Sequence, residues 1–265
     1  MNHPQIAVFA RLAKENTPPI RAIEGEKTKI SRTMHGFGYD AVHDEIVVTS
    51  PLTQAILTFR GAANGEEPPV RVIQGPRTQI IGTAYSGNAI VTVDGVNGEI
   101  YLPVSNNSIL VFDRTADGDV PPKRVLNDAG GSVAIDPVRN LLIINRRTEL
   151  QIFERTASGN AKPIRIIKGP NAGVANISSF QTYPDKGWII GGCADGAICA
   201  WSVTDSGDVP PRWKIPVQQL TGYVASGIAL DPVHKEILLS AAGQRIRPPS
   251  GIMNTVITFS WPEIF

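Results

Sequence analysis

The stretch that decides the fold is ILVFDRTADGDVPPKRVL, residues 109–126. It runs from an apolar block closing on an aromatic, through a polar turn with a glycine, to a proline pair and then an arginine. The apolar block recurs along the chain as IAVF at 6–9, ILTF at 56–59, LQIF at 150–153, ICAW at 198–201 and VITF at 256–259. Its aromatics are Phe9, Phe59, Phe112, Phe153, Trp201 and Phe259, spaced 50, 53, 41, 48 and 58 residues apart. Ten residues after the first five stand Pro19, Pro69, Pro122, Pro163 and Pro211, and two further on Arg21, Arg71, Arg124, Arg165 and Trp213. A glycine follows the aromatic by six at Gly65, Gly118, Gly159 and Gly207, with Glu15 in the first copy.

A second block alternates with the first. An apolar run ends at Asp40, Asp94, Asp136, Tyr183 or Asp231, and five residues later a new run begins at Glu45, Glu99, Leu141, Trp188 or Glu236. All the apolar runs are short, rich in Ile and Val, and bounded by Gly, Pro, Asp and Asn, which reads as strands and not helices. The Asp step predicts a tight turn whose side chain bonds its own backbone. The longer connection predicts a glycine at positive φ and prolines leading into an outer strand. Each unit is therefore two hairpins, strands a–b–c–d, repeated about every 50 residues, the signature of a β-propeller. Gly38, Thr92, Ala134, Gln181 and Ala229 stand two before the turn residue, and most of the residues on this face of the innermost strand are small, as the crowding there requires.

The count is five a–b hairpins, five c–d hairpins and one further c strand. The expectation is one all-β domain over 1–265: a propeller of four-stranded antiparallel blades with five complete repeats plus an extra C-terminal strand. In that ring strand 256–260 joins the last hairpin, strand 20–24 completes that blade and strand 6–9 is surplus. The alternative is a six-bladed ring lacking an N-terminal hairpin. The segments SGIALDPVHKEILL (226–239) and GSVAIDPVRNLLII (131–144) resemble the NHL repeat and related bacterial propeller repeats, and 109–126 resembles the c–d part of such a repeat. The resemblance covers nearly the whole chain. It implies a fold shared by protein-binding, RNA-binding and enzymatic proteins, and no catalytic set of theirs can be matched here.

Composition agrees. In 265 residues Gly 25 and Pro 21 supply turn formers, 42% of residues are hydrophobic, and the net charge is +1. That balance speaks against disorder and against a nucleic-acid partner drawn by bulk charge. No apolar run reaches the ~18 residues of a membrane span. MNHPQIAVFARLAKEN shows no secretory signal, which reads as cytoplasmic, or as secreted or periplasmic if a leader has been lost.

Candidate chemistry is sparse. The repeated arginines lie on outer strands, where pairing with Asp113 or Glu154, or stacking of their stems on the aromatic, outweighs an anion ring. The turn acids read as caps, not metal ligands. His43 and His234 occupy an exposed polar turn slot. Cys193 and Cys199 flank a turn at Asp195-Gly196; a two-residue loop pairs Cys193 with Ile198 and puts Cys199 on the other face, predicting two buried free thiols. Gly36-Phe-Gly38-Tyr-Asp-Ala41 has no helix after it and is rejected as a dinucleotide fingerprint. The insert 241–254, with Arg245 and Arg247, reads as a partner loop or a mobile one.

The residues that depart from the repeat near the axis are His35, Thr92 and Gln181. The loops entering strand a add Arg32, Tyr85, Asn176 and Tyr223. Together these seven form the expected ligand site, a concave channel mouth with a few polar groups. No catalytic residue, metal or cofactor is assigned. The functional expectation is a non-catalytic scaffold for a protein or small-molecule partner. The alternative is a lactonase-like hydrolase or lyase acting near His35.

Overall fold

The computed structural model describes residues 5–31, 36–81, 90–175, 180–243 and 254–265. Its contacts group the chain into two compact units, Met1–Asp128 and Ala129–Phe265. In the first unit β1 (Gln5–Val8) pairs with β2 (Arg21–Glu24). One four-stranded sheet follows with β3 (Phe37–Asp40), β4 (Glu45–Ser50), β5 (Ala55–Arg60) and β6 (Arg71–Gln74). Another holds β7 (Thr92–Asp94), β8 (Glu99–Val104), β9 (Ser108–Asp113) and β10 (Arg124–Leu126).

The second unit has the same plan. β11 (Ser132–Asp136), β12 (Leu141–Arg146), β13 (Glu149–Glu154) and β14 (Arg165–Lys168) form one sheet. β15 (Gln181–Tyr183), β16 (Trp188–Gly192), β17 (Ile198–Ser202) and β18 (Trp213–Ile215) form the next. A short helix, α1 (Val217–Thr221), leads into a three-stranded sheet of β19 (Tyr223–Asp231), β20 (Glu236–Gly243) and β21 (Asn254–Ser260). Within these sheets every strand pairing among the described residues is antiparallel. This is the all-β, five-blade propeller fold: among the described residues β1 to β20 supply five a–b and five c–d hairpins, four of each paired up in the four-stranded sheets, with β1–β2 and β19–β20 left as the remaining hairpins and β21 as the extra C-terminal strand. One detail differs from the expectation. β21 joins the last hairpin, but strand 20–24 pairs with strand 6–9 in a separate two-stranded sheet.

Strands b and c of the four complete sheets are buried almost throughout, which is why they read as continuous apolar runs and not as alternating ones. Within each unit the cores lie between successive sheets. Ile73, Ile100, Leu102 and Phe112 share one cluster; Ile143, Ile152, Ile189 and Trp201 share another. The repeated aromatic is buried in the c strands of the four complete sheets, where Phe59, Phe112, Phe153 and Trp201 are all at most 2% exposed. Such a side chain stabilises by about 2–3 kcal/mol through burial alone. The Trp201 indole N–H, buried with the ring, donates to the Ala172 carbonyl at 3.2 Å.

The Asp step is the cap expected of it. Asp40 Oδ1 accepts from the backbone N–H of Val42 (2.9 Å) and His43 (3.2 Å); Asp94, Asp136 and Asp231 accept from Asn97, Arg139 and His234 in the same way. The side chain three residues on folds back onto the other carboxylate oxygen. His43 Nδ1 lies 2.8 Å from Asp40 and His234 Nδ1 2.7 Å from Asp231. The histidines thus belong to the turns.

The glycine six past the aromatic does more than turn the chain. Gly65, Gly118 and Gly207, at φ of 62°, 76° and 79°, form parallel bridges with Ile23, Ile73 and Ile167 on the outer strand of the preceding sheet. Gly118 N–H donates to the Val72 carbonyl at 2.7 Å, and its own carbonyl accepts from Gln74 at 3.1 Å. The acidic residue after each of these glycines completes a latch. Asp208 Oδ1 accepts from Asn171 and Ala172 N–H at 2.8 Å each, and Asp119 Oδ1 from Arg77 N–H at 2.7 Å. These partners sit in tight turns begun by Gly169 and Gly75, whose φ of 130° and 134° only glycine adopts readily. The latch covers backbone groups that an open outer strand would expose.

The cysteines correct the expectation. They are joined by a disulfide, Cα–Cα 6.0 Å, and neither is free. The hairpin loop has three residues, not two: Gly196 N–H donates to the Cys193 carbonyl and Cys193 N–H to the Ala197 carbonyl, with Gly196 at φ 76°. Cys193 therefore faces Ala197, and Cys199 faces Gly191. One residue of register exchanges the two faces of a strand, so both sulfurs fall on the same side.

Candidate functional site

Four of the seven expected site residues, Arg32, His35, Tyr85 and Asn176, lie outside the described residues. In the first unit Thr92 opens β7, half-buried and opposite Tyr101. The chain at β7 lies close against that at β3 because Gly36, just before β3, and Gly38, within it, stand where they touch: a Cβ on Gly36 would stand 2.8 Å from Ile90 Cα, and one on Gly38 3.1 Å from the Val91 carbonyl. In the second unit β15 contacts both β11 and β19, and the Thr182 hydroxyl donates to the Ile135 carbonyl. Gln181, half-buried opposite Ile190, and Tyr223, half-buried at the head of β19, thus come from contacting inner strands.

Sequence reasoning missed Asn145. It sits in β12 opposite Ser132, with both residues 2% exposed. Its Nδ2 donates to the Ala175 carbonyl at 3.1 Å, while its Oδ1 is buried without a hydrogen-bond donor. A buried acceptor left unpaired costs about 1–3 kcal/mol. The backbone is close as well: a Cβ on Gly131 would meet the Asn145 carbonyl at 2.3 Å, and Gly131 is at φ 153°. The signal in the sequence was a single polar residue ending the apolar run LLII at 141–144. Asn145, Ser132 and Ala175 mark the end of the strands where chain enters β11 and β15.

The repeated arginines and the glutamates opening β4 and β8 are committed to structure. Arg124 clasps Glu99 through two hydrogen bonds of 2.6 and 2.8 Å, Lys123 lies 3.0 Å from it, and Tyr101 donates to it at 2.7 Å. Burial pushes the Glu99 carboxyl up, but these donors outweigh it and hold the group at about 2. Glu45 takes Arg71 at 2.6 Å and Arg114 at 2.7 Å, and is lowered against its burial by the same two guanidiniums. Arg21 donates to the Ala63 and Gly61 carbonyls, and Arg165 to Val203. The partners are therefore Glu45, Glu99 and neighbouring loops instead of Asp113 or Glu154. Asp113 instead accepts from the Thr115 N–H and hydroxyl. Among the described residues no three His, Cys, Asp or Glu side chains group as metal ligands, and no helix there is long and apolar enough to cross a membrane.

No protein-family model matches the chain, and no curated protein matches it by sequence. Its fold is widely shared: 1131 chains of solved structures match it, so the likeness identifies an architecture and not an activity. One is a chain in the crystal structure of the mitotic checkpoint complex. It superposes with a TM-score of 0.56 over 86% of this chain at 15% identity, and this chain covers 62% of that one.

Proposed function

We propose that this chain is a non-catalytic binding scaffold, an NHL-like propeller of bacterial type, whose partner is a protein or a small molecule. The partner engages the loops that lead into the inner strands, through Arg32, His35, Tyr85, Thr92, Asn176, Gln181 and Tyr223. The observation that carries this reading is the Asn145 carboxamide. Its buried Oδ1 lacks a donor at the end of β12 beside Ala175, the residue before Asn176, so a ligand N–H or O–H there is matched to an existing acceptor. The resemblance to a chain solved within a protein complex is in keeping with a protein partner.

The test is a thermal-shift screen of peptides, metabolites and divalent cations. A ligand at a hundred times its Kd stabilises by about 2.7 kcal/mol, a shift of several degrees. The shift should fall away in Gln181→Ala and Tyr223→Ala. A ligand whose shift ignores both variants, or a hydrolytic turnover abolished by His35→Ala, would overturn the reading.

A further inference from the structure

We infer that the Cys193–Cys199 bridge is a redox switch on the Asn145 acceptor. The bridge fixes the segment 173–175, to which Asn145 is bonded, and a dithiol that reduces it sets that segment loose. The inference concerns regulation of the site proposed above and rests on that reading of Asn145.

In both complete sheets of the first unit the chain entering strand a touches the b–c hairpin of its own sheet through one serine. The Ser50 hydroxyl reaches the Lys29 carbonyl at 3.5 Å; the Ser105 N–H and hydroxyl reach the Ile81 carbonyl at 3.4 and 3.2 Å. In the sheet β15–β18 the contact is a short antiparallel bridge centred on a cysteine. Val174 pairs with Cys193. Ala175 N–H donates to the Gly192 carbonyl and Ala194 N–H to the Gly173 carbonyl, both at 2.9 Å. The Ala175 carbonyl in turn accepts from Asn145 Nδ2 at 3.1 Å. The path from Cys193 to Asn145 thus passes through one short segment, and all of it lies in the second unit.

The hairpin that carries this bridge is poorly suited to holding itself. It reads Gly191-Gly192-Cys193-Ala194-Asp195-Gly196-Ala197. Glycine loses the most conformational freedom on ordering and weakens a strand. β16 ends at Gly192 and β17 begins at Ile198, so Cys193 and Ala197 lie past the strands, where the ladder frays. The tip is also tied by an exposed ion pair of Lys214 with Asp195 and by Gln218 N–H, 3.3 Å from the Gly196 carbonyl. Both ties are weak, the first because water screens it, the second because it is long. The disulfide is the strong one. Both cysteines also share an apolar cluster with Ala172, Val174 and Trp201, so a tip that opens takes away the wall on which Val174 rests.

Cys193 is 8% exposed and Cys199 fully buried, so attack falls on Cys193. One thiolate of the dithiol bonds to the Cys193 sulfur, and the Cys199 sulfur leaves as a thiolate and takes a proton. The second thiol of the reagent gives up its proton and attacks the reagent's own sulfur in the mixed disulfide. That closes a cyclic disulfide and releases Cys193, which is protonated in turn. Two electrons and two protons pass to the cysteines and the dithiol is oxidised; a cyclic disulfide of the same class reverses both steps. The reduced tip opens locally, and the Ala175 carbonyl no longer holds the Asn145 carboxamide in one orientation. The oxidised chain presents a fixed acceptor and the reduced chain a movable one.

The test is amide hydrogen exchange on the whole chain, oxidised and in dithiothreitol, read residue by residue. Reduction should speed Ala175 and Ala194 about tenfold more than Ile143 in β12, or than Ala172, whose N–H the Asp208 latch holds. Cys193→Ser, Cys199→Ser should show the fast exchange in both conditions, with circular dichroism checking that it folds; the reduced natural chain gives the same readout without a variant. An equal factor at all four amides is the global effect of a lost crosslink and overturns the inference, as does a bridge that excess dithiothreitol leaves intact. A ligand whose thermal shift needs Gln181 and Tyr223 should bind the reduced chain about tenfold more weakly. Equal affinity overturns the switch and leaves the site standing. The exchange result is read with no ligand, so it stands or falls apart from the site.

Discussion

Glu99 shows how a buried charge is kept. Its side chain is 3% exposed, yet Arg124, Lys123 and Tyr101 hold the carboxylate ionised. Its folded value of about 2 lies below the ordinary 4.5. The stabilisation is therefore fully present above the ordinary value and is lost as pH falls through about 2. The gap corresponds to about 3 kcal/mol between the two limits. Glu99→Gln strands two cations and should cost about 3–5 kcal/mol at pH 7 by urea unfolding. It should also flatten the acid limb of the stability profile between those two values; an unchanged acid limb would show that other carboxylates govern it. The pairing itself was not legible. Sequence placed Arg124 on an outer strand but offered Asp113 as its partner, because Glu99 lies 25 residues away and meets it only once the whole sheet forms.

At the scale of elements, local rules read well and counted badly by one. The Asp turns were legible down to the accepting oxygen, since donor and acceptor are three residues apart. The Cys193–Cys199 hairpin was legible as a hairpin, but Gly196 admits a loop of two residues or three, and that choice alone decides whether the thiols meet. Reducing this bridge should cost about 2 kcal/mol, the loop-closure value for a crosslink this short. The readout is a lower Tm in reductant, with Cys193→Ser, Cys199→Ser indifferent to it. Equal Tm in both conditions would mean that the hairpin is held by its ladder and by Trp201. Gly65, Gly118 and Gly207 were read as turn glycines with positive φ, which they are. Their role as bridges to another sheet was invisible, because the partner strand lies about 40 residues back.

For the whole chain, repetition made the architecture legible and left the site obscure. Five copies in one register name a fold; the departures from the register carry function, and a departure has no internal template. Asn145 was passed over for that reason. Solenoid-like chains draw their stability from nearest-neighbour interfaces, and the latches are such interfaces. Asp119→Ala and Asp208→Ala each remove a latch, one in each unit, and share no partner. Each should cost about 1–2 kcal/mol and speed amide exchange in the outer strand it serves, β6 or β14. The double variant should be additive within about 0.5 kcal/mol. A larger departure would mean that the two latches are not independent.

The latches also bear on biosynthesis. Asp117 bonds Val72 across 45 residues and Asp119 bonds Arg77 across 42, each time from the later segment to the earlier. A ribosome adding about 5–20 residues per second needs a few seconds to deliver that later segment. During each interval the outer strand already made stands bare, with its Pro-Pro lead and its short length as its only protection. Translation speed through residues 75–117 thus sets how long β6 waits for its cover.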